Sequence, residues 1–574
     1  MLILGINSGG HDACACLFDE YRMLAAVALE RVTRKKGHGG RVPVEAIDEC
    51  LAIAGRKRRE IDAVVMARGM FPTHLFSHFP LGRRLAFALR AEIGKEKYKY
   101  MENECVRYRR TDSAAMFKGA LFRRELRLAP EAQIAFANHH LAHALPCLFH
   151  TGWAEALLYT ADGGGDNVQY SMRLFRDGAL SELYGGDQEL TRPRRIDSLG
   201  QAYAYATEAL GFIPFRHEGK VTGLAAFGKP RLYDALARHF RVDEQGEVAS
   251  DFPGYDAMRE CIFDLAKGAS REDVSASIQL LLENFVIESV RRILKRHPMR
   301  HLGLSGGVFA NVRLNQRLAE ELPLDEVFVY PAMSDQGLAA GAVLEFLLAR
   351  DGMERWLAQR WPLETLYYGR DFGVAIDETF EKDPRFRRMP GNPVDGAAEL
   401  IHQGRIVAIY AKGMEYGPRA LGARSIMASA LDADINRTLN DRLSRSEFMP
   451  FAPVVTAEDA ESVFDLGPVK RRAASFMTIT CGVRDSWRAR IPAVVHVDGT
   501  ARPQVIERAQ NPLYYDILAT YKALSGVPVL INTSFNVHEE PIINAPSECA
   551  RALAEGRVDF VVTERGVYGR AQTA

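Results

Sequence analysis

No apolar run in the 574 residues is long enough to cross a bilayer, which excludes a helical membrane span. Net charge is lacking too: 73 Lys and Arg balance 73 Asp and Glu, so no chain-wide basic field exists to hold nucleic acid. Cysteine is scarce, with eight residues and no C-x-x-C pair, which excludes a disulfide framework and zinc fingers of that spacing. The first residues, MLILGINSGG, have no basic leader and run straight into glycines, unlike a secretory signal. Low-complexity tracts and solenoid-length repeats are absent. What is there is globular composition, 47% hydrophobic and 25% charged, in a chain long enough for several domains. The expectation is a cytoplasmic protein with no membrane and no nucleic-acid partner. The basic clusters Arg56-Lys57-Arg58-Arg59 and Arg107 to Arg110, flanked by apolar and acidic residues, read as solvated faces.

Leu2 to Ile6, the alternating stretch Ala13 to Phe18 and the run Met23 to Leu29 predict three successive strands. A later strand, Ala156 to Thr160, is followed by Asp162-Gly163-Gly164-Gly165-Asp166. Helical periodicity runs from Ser275 to Lys295, with Ile278, Leu281, Leu282, Phe285 and Val286 on one face. A short strand, His301 to Leu304, then meets Ser305-Gly306-Gly307. Glycine-bearing strand ends alternating with helices predict an α/β domain that binds its ligand at strand C-termini. From Asp351 to Asn392 the chain turns polar and proline-punctuated, which predicts a linker. A second α/β pattern starts with helix Val394 to Gln403 and strand Ile406 to Tyr410, and closes near strand Val558 to Thr563. The expected division is 1–350, 351–392 and 393–574.

His139-His140-Leu141-Ala142-His143 follows the strand-like Gln133 to Ala137, with Asn138 in position to cap a helix. On such a helix His139 and His143 project from one side, about 6 Å apart, and can ligate one metal ion; His140 points elsewhere. Packing histidines are the alternative. Pro146 is expected to kink or end the helix, because its ring clashes with the Ala142 carbonyl. No Glu follows His139, which disfavours hydrolysis by H-E-x-x-H chemistry. Asp162, beyond its strand, and Asp335, before a small-residue helix, are carboxylates placed for a cation, or else plain helix caps. Two imidazoles with two carboxylates suit Fe(II), Mn or Zn rather than calcium.

The glycine turns Asn7 to Gly10, Gly163 to Gly165 and Gly306-Gly307 can bring backbone N–H groups close to phosphate. Neither a P-loop nor a first-strand G-x-G-x-x-G is present. In the second half Arg419 and Arg424 lie in GPRALGARS, Arg442 and Arg445 precede PFAP, and Arg502 lies in HVDGTARPQ. Arginine forks beside Ser534 and Asn536 of NTSFN make a cradle for phosphate or carboxylate; surface ion pairing is the alternative for any one of them. No Ser-His-Asp or reactive-cysteine pattern favours covalent catalysis by a side chain.

The ordered set NSGGHDA, HHLAH, DGGGD, EGKVTGLAAFG, LSGGVFAN and PAMSDQGLAAG, then GPRALGARS, PFAP, HVDGTARPQ and NTSFN, covers nearly the whole chain. It resembles the O-carbamoyltransferases, typified by the nodulation-factor, cephamycin and tobramycin carbamoyltransferases. The resemblance implies an α/β protein with an N-terminal duplicated ribonuclease-H-like (ASKHA) domain and a C-terminal YrdC-like domain. It implies that the C-terminal domain makes carbamoyl-adenylate from carbamoyl phosphate and ATP with Mg²⁺. The N-terminal domain would then pass the carbamoyl group to an acceptor hydroxyl.

By motif, His139, His143, Asp162 and Asp335 resemble the family's metal ligands, with Fe(II) the implied ion and another first-row divalent metal the alternative. Gly306, Gly307 and Asn311 resemble its nucleotide-binding turn, and Lys220 a phosphate contact. Ser534 and Asn536 match the S-x-N of YrdC-like domains, and Arg419, Arg424 and Arg502 fall in motif loops. Where YrdC-like domains carry K-x-R, this chain has Arg442-Leu-Ser-Arg445, and the two arginines are expected to do that work. His11 and Asp12, in the first glycine turn, are the expected catalytic pair near the acceptor hydroxyl.

A tRNA threonylcarbamoyladenosine-type transferase shares these folds, but charge neutrality offers no tRNA face. A hydrogenase-maturation carbamoyltransferase needs the paired C-x-x-C fingers this chain lacks. A non-catalytic ASKHA nucleotide sensor has no use for both a metal cluster and an arginine-rich second site. The acceptor, a hydroxyl of a sugar or natural product, is expected to be selected by residues between Phe71 and Arg127. Oligomeric state stays open.

Overall fold

The computed structural model describes residues 1–77, 98–445 and 449–571. The first apolar runs form β1 (Leu2–Asn7), β2 (Cys14–Asp19) and β3 (Arg22–Ala28), an antiparallel meander. β4 (Ala63–Ala67) and β5 (Gln133–Ala137) add in parallel beside β1, giving the order β3-β2-β1-β4-β5. β6 (Ala156–Gly165), β7 (Val168–Arg176), β8 (Ala179–Tyr184), β9 (His301–Ser305) and β10 (Glu326–Val329) form a second sheet, ordered β8-β7-β6-β9-β10. Its pairing senses repeat those of the first: an antiparallel meander, then two parallel strands. One topology thus occurs twice, the arrangement expected of a duplicated ribonuclease-H-like core.

The helices that matter for the site are α1 (His139–Phe149), α2 (Glu218–Ala225), α3 (Arg271–Arg296), α4 (Val312–Glu321) and α5 (Leu338–Asp351). α5 reads LAAGAVLEFLLARD because backbone meets backbone on both its sides. A Cβ on Gly341 would lie 2.9 Å from Ala142 Cα of α1 and closer still to its carbonyl oxygen. A Cβ on Gly5 of β1 would lie 2.9 Å from the Ala339 carbonyl carbon. These approaches set α1, α5 and β1 against one another.

One local expectation holds and one is corrected here. α1 ends near Pro146 as expected, passing through it to stop at Phe149. Proline removes the N–H that would satisfy the Ala142 carbonyl, and that carbonyl instead presses on Gly341, where only hydrogen stands. β6 does not stop at Thr160 but runs to Gly165, with its pairing to β7 irregular between Ala161 and Gly165. Such a bulge lifts residues out of the ladder and re-aims them, and Asp162 lies within it.

The second half is built on an eight-stranded mixed sheet of β11 (Phe386–Arg388), β12 (Val407–Tyr410), β13 (Arg424–Ser429), β14 (Ala452–Thr456), β15 (Gln504–Ile506), β16 (Val529–Ser534), β17 (Phe560–Val562) and β18 (Val567–Arg570). Its order is β11-β18-β17-β12-β13-β16-β14-β15. Helix α6 (Pro393–His402) precedes β12, with the Asn392 side chain as its cap. The stretch 351–392, read as a linker, holds helices Met353–Ala358 and Ala375–Glu381 and the edge strand β11. Buried Trp356, Leu363, Leu366 and Phe380 tie it to the core, and the polar composition around them masks these four side chains in the sequence. All eight cysteines are free, as their spacing predicts. Among the described residues no helix is long and apolar enough to cross a membrane.

Candidate functional site

β5 ends at Ala137, and Asn138 starts α1 by accepting the Leu141 N–H at 2.8 Å. That start sends His139 and His143 to one side. His143 Nε2 lies 3.3 Å from Asp162 Oδ2 and 3.7 Å from Asp335 Oδ1. His139 Nε2 lies 3.8 Å and 4.0 Å from the same two oxygens. The four ligand atoms fall within 4.8 Å of one another. Gly165 leaves room for the His139 ring, since a Cβ there would come 2.5 Å from His139 Nδ1. His140 turns away as predicted, its Nδ1 2.8 Å from Thr160 Oγ1 and its Nε2 3.3 Å from the Val168 carbonyl.

These residues fit a divalent cation. Neither buried Nε2, of His139 or of His143, makes a hydrogen bond, although each faces both carboxylates. Metal–N and metal–O bonds of about 2.0–2.2 Å put neighbouring ligands roughly 3.4 Å apart in a tetrahedron, close to the spacings present. Burial lowers His139, yet Asp162 and Asp335 outweigh it and push the imidazole up to about 9. Burial would raise Asp162, but the two imidazoles hold it well below the usual carboxylate range. The buried carboxylates call for positive charge, which one cation would supply. Ser305 Oγ, 3.3 Å from His143 Nδ1, is the outer partner that orients a ligating imidazole.

Beside the cluster opens a cavity of about 530 Å³ whose wall includes Gly9, Gly10, His11, His139, Asp162 and Asp335. Asn7 shapes the first glycine turn, donating to the Asp335 carbonyl at 3.0 Å and the Asp12 carbonyl at 3.3 Å. Its Oδ1 accepts the Gly9 N–H at 3.1 Å. Asp12 adopts a left-handed φ of 54° and sets Oδ2 3.3 Å from His11 Nδ1. His11 therefore lines the cavity while Asp12 stands behind it. Burial lowers His11, but Asp12, Asp335 and Asp162 push it up to about 10.

Of the stretch expected to select the acceptor, Tyr100, Glu102 and Asn103 reach the wall, and 78–97 lie outside the described residues. Sequence reasoning missed Arg68 and Asp166. Arg68 is buried on Asp166 and Asp187, and Asp166 accepts the His139 N–H at 2.7 Å. A charged residue directly after the apolar strand Ala63–Ala67 was the available signal.

A second cavity, about 290 Å³, lies between the two halves, lined by Lys36, Arg419, Arg445, Arg502, Ser534 and Asn536 among others. Arg445 is tied to the NTSFN motif, donating to Thr533 Oγ1 at 2.8 Å, Ser534 Oγ at 3.0 Å and Asn536 Oδ1 at 2.6 Å. Arg419 reaches the Ala310 carbonyl of the first half at 3.4 Å. The GPRALGARS loop is organised by buried Glu415, whose Oε1 accepts the N–H groups of Leu421, Ala423 and Arg424 at 3.0, 2.9 and 3.0 Å. No motif reading had singled Glu415 out. An adjoining cavity, also about 290 Å³, shares Thr222, Val312, Met449 and Pro450 with it.

Not every expected contact gathers there. Arg424 is fully buried, donates to the Ala411 carbonyl at 2.7 Å and covers the Tyr410 ring at 3.7 Å. Arg442 pairs with Asp559 at 2.8 Å. Neither lines the arginine pocket, because β13 and the end of its helix aim them elsewhere. Gly307 donates its N–H to Asp162 Oδ2 at 3.2 Å, and Gly306, at φ 100°, abuts Ala161, so this turn braces the metal cluster. Asn311 caps α4 through the Leu314 N–H at 3.1 Å and donates to Gln279 Oε1 at 2.8 Å. Lys220, on α2, faces the Phe212 ring at 5.8 Å.

Fold and site together define an α/β protein in which a duplicated mixed-sheet body carries a His/Asp cluster and a second body carries an arginine pocket. The chain belongs to the carbamoyltransferase family and is a transferase: residues 2–344 match the carbamoyltransferase N-terminus profile and 398–570 the carbamoyltransferase C-terminus profile. It is 31% identical to nodulation protein NolNO of Sinorhizobium fredii, over 97% of this chain and 78% of that one. An uncharacterized protein of Methanocaldococcus jannaschii is 28% identical over 98% of both chains. Nodulation protein U of Rhizobium tropici is 29% identical over 63% of this chain and 64% of its own. Among solved structures, full-length HypF in its phosphate- and nucleotide-bound form is 14% identical with a TM-score of 0.32, covering 61% of this chain and 56% of that one.

Proposed function

We propose that the protein is an ATP-dependent O-carbamoyltransferase with two linked half-reactions. The observation that carries the reading is that a His/Asp cluster with a neighbouring histidine and an arginine pocket occur in one carbamoyltransferase chain, with the segments 34–38 and 215–222, the latter running into α2, reaching from one to the other. In the second half, which we read as YrdC-like, Arg419, Arg445 and Arg502 with Ser534 and Asn536 suit the phosphates of carbamoyl phosphate and Mg²⁺-ATP. Water releases phosphate from carbamoyl phosphate, the carbamate oxygen attacks the α-phosphorus, and pyrophosphate departs. The adjoining apolar slot, with Ala276, Leu280, Val312 and His496 in its wall, suits the adenine of the resulting carbamoyl-adenylate. Gly306, Gly307, Asn311 and Lys220, expected to contact the nucleotide, stand on the elements that border this slot and the metal cluster.

Transfer then runs in the larger cavity. The acceptor oxygen attacks the carbamoyl carbon, the bond to AMP breaks, and His11 takes the hydroxyl proton while Asp12 holds its other nitrogen. His139, His143, Asp162 and Asp335 would hold a divalent first-row ion, Fe(II) by family resemblance, which when bound would supply Lewis-acid polarisation of a carbonyl oxygen and would offset the carboxylate charge that raises His11. Aromatic Tyr100, Tyr205 and Tyr255 beside Glu102, Gln169 and Gln201 suit the faces and hydroxyls of a sugar or sugar-like natural product. ATP and carbamoyl phosphate are cytoplasmic metabolites, and the reaction is assigned there. The test is purified protein with Mg²⁺-ATP and carbamoyl phosphate, without acceptor. Carbamoyl-phosphate-dependent pyrophosphate together with carbamoyl-AMP by mass spectrometry is expected; absence of both would refute the reading.

A further inference from the structure

The larger cavity and the arginine pocket are separated by two short stretches of the first half. In one, Phe215 lines the cavity while Gly219 and Thr222, a turn further on, line the arginine pocket. In the other, Lys36 lines the arginine pocket, and the next residues carry the His11 turn: the Gly37 and His38 carbonyls accept the Asp12 and Ala13 N–H groups at 3.4 and 3.0 Å. The stretches are tied to each other by Arg216, which donates to the Lys36 carbonyl at 2.8 Å.

One side chain of the second half clasps both. Glu539 lies 2.9 Å from His217 Nε2, 3.6 Å from the Arg216 guanidinium and 3.9 Å from Lys36 Nζ. Phe215 is an outlier on two counts: a bulky residue at φ 62°, and an apolar side chain left 49% exposed. Its N–H is held by Glu218 Oε1 at 2.6 Å. Its ring stacks on His11, with centroids 5.8 Å apart and planes 18° apart, and closes over Gly163, next to Asp162. A strained, exposed phenyl lying on the expected base and over the glycine that follows a metal ligand is held for a purpose other than core packing.

We infer that Phe215 is the partition between the two cavities, clasped by Glu539, and that it decides whether the activated carbamoyl group meets acceptor or water. The inference rests on the two-step reading above. When the partition fails, water attacks the carbamoyl carbon of carbamoyl-AMP, the bond to AMP breaks, and the carbamic acid released decays to carbon dioxide and ammonia.

Full-length protein is given Mg²⁺-ATP and carbamoyl phosphate without acceptor, and pyrophosphate, AMP and ammonia are followed. Wild type is expected to show a stoichiometric pyrophosphate burst, then slow AMP and ammonia release. Phe215→Ala and Glu539→Ala should keep the burst amplitude and raise AMP and ammonia release at least tenfold, and Phe215→Leu should stay within about twofold of wild type. A second readout is independent of turnover: hydrogen exchange across 34–40 and 211–218 should speed up in Glu539→Ala. Wild-type AMP release in Phe215→Ala with the burst intact would overturn the partition alone, as unchanged exchange in Glu539→Ala would overturn the clasp. A wild type with no pyrophosphate burst would overturn the two-step reading, and the partition with it.

Discussion

Gly341→Ala adds one methyl group where α5 crosses α1, and two opposing effects decide its outcome. Inside a helix, alanine is better than glycine by about 1 kcal/mol. Against this, the new Cβ would lie 2.9 Å from Ala142 Cα and closer to its carbonyl oxygen. Carbon atoms pack at about 3.5–4.0 Å, so the helices must part by roughly 1 Å. The obstructing atoms are backbone, with no side chain to swing aside, which puts the cost at or above the upper end of the usual overpacking range, about 3 kcal/mol. The net effect is a loss of about 2 kcal/mol, a fall of a few degrees in melting temperature. The shift also parts His139 and His143 from Asp335, whose carboxylate now stands 3.7 to 4.0 Å from them, so bound metal should fall.

Gly396→Ala is the internal control: a Cβ there meets Val567 at 3.6 Å, ordinary contact, so in α6 the helix-propensity gain should survive and stability should rise. Differential scanning calorimetry with metal analysis reads both variants. A Gly341→Ala protein as stable as Gly396→Ala, with full metal, would show that α1 and α5 do not touch as described.

His139→Ala should strip most bound first-row metal and abolish carbamoyl transfer with pyrophosphate formation intact, whereas His140→Ala, bonded to Thr160 and Val168, should keep its metal; metal analysis after dialysis separates the two. Glu415→Ala removes the acceptor of three loop N–H groups and should lower carbamoyl-phosphate-dependent pyrophosphate release by tenfold or more with metal content unchanged; normal release would refute the loop argument. His150 is buried against Trp361 and Tyr330, and burial lowers it to about 3. The unfolded chain therefore binds this proton first, and stability present above pH 6.5 is lost as pH falls toward 3. In His150→Phe the melting temperature should decline less steeply between pH 6.5 and 4, and an unchanged slope would refute the assignment.

The strands Leu2 to Ile6 and Met23 to Leu29, the Asn138 cap, the shared face of His139 and His143, and the absence of disulfides were all legible in the sequence, because each follows from local periodicity or spacing. Local rules failed where a distant partner supplied the missing interaction. Pro146 marks where α1 kinks or ends, but not that the freed Ala142 carbonyl would face Gly341, nearly two hundred residues away. The polar stretch 351–392 was read as a linker, but Trp356 and Phe380 are buried against elements on either side of it. Arginine-rich loops announced a pocket without saying which arginine faces it: Arg445 does, Arg442 is drawn off by Asp559, and Arg424 is buried over Tyr410.

Residue type and spacing determined what chemistry the chain can carry, since an imidazole or a guanidinium is the same donor wherever it sits. Convergence was decided by tertiary structure alone. His139 and Asp335 are almost two hundred residues apart in sequence and 4.0 Å apart in space, and only the packing of α5 between α1 and β1 brings them together.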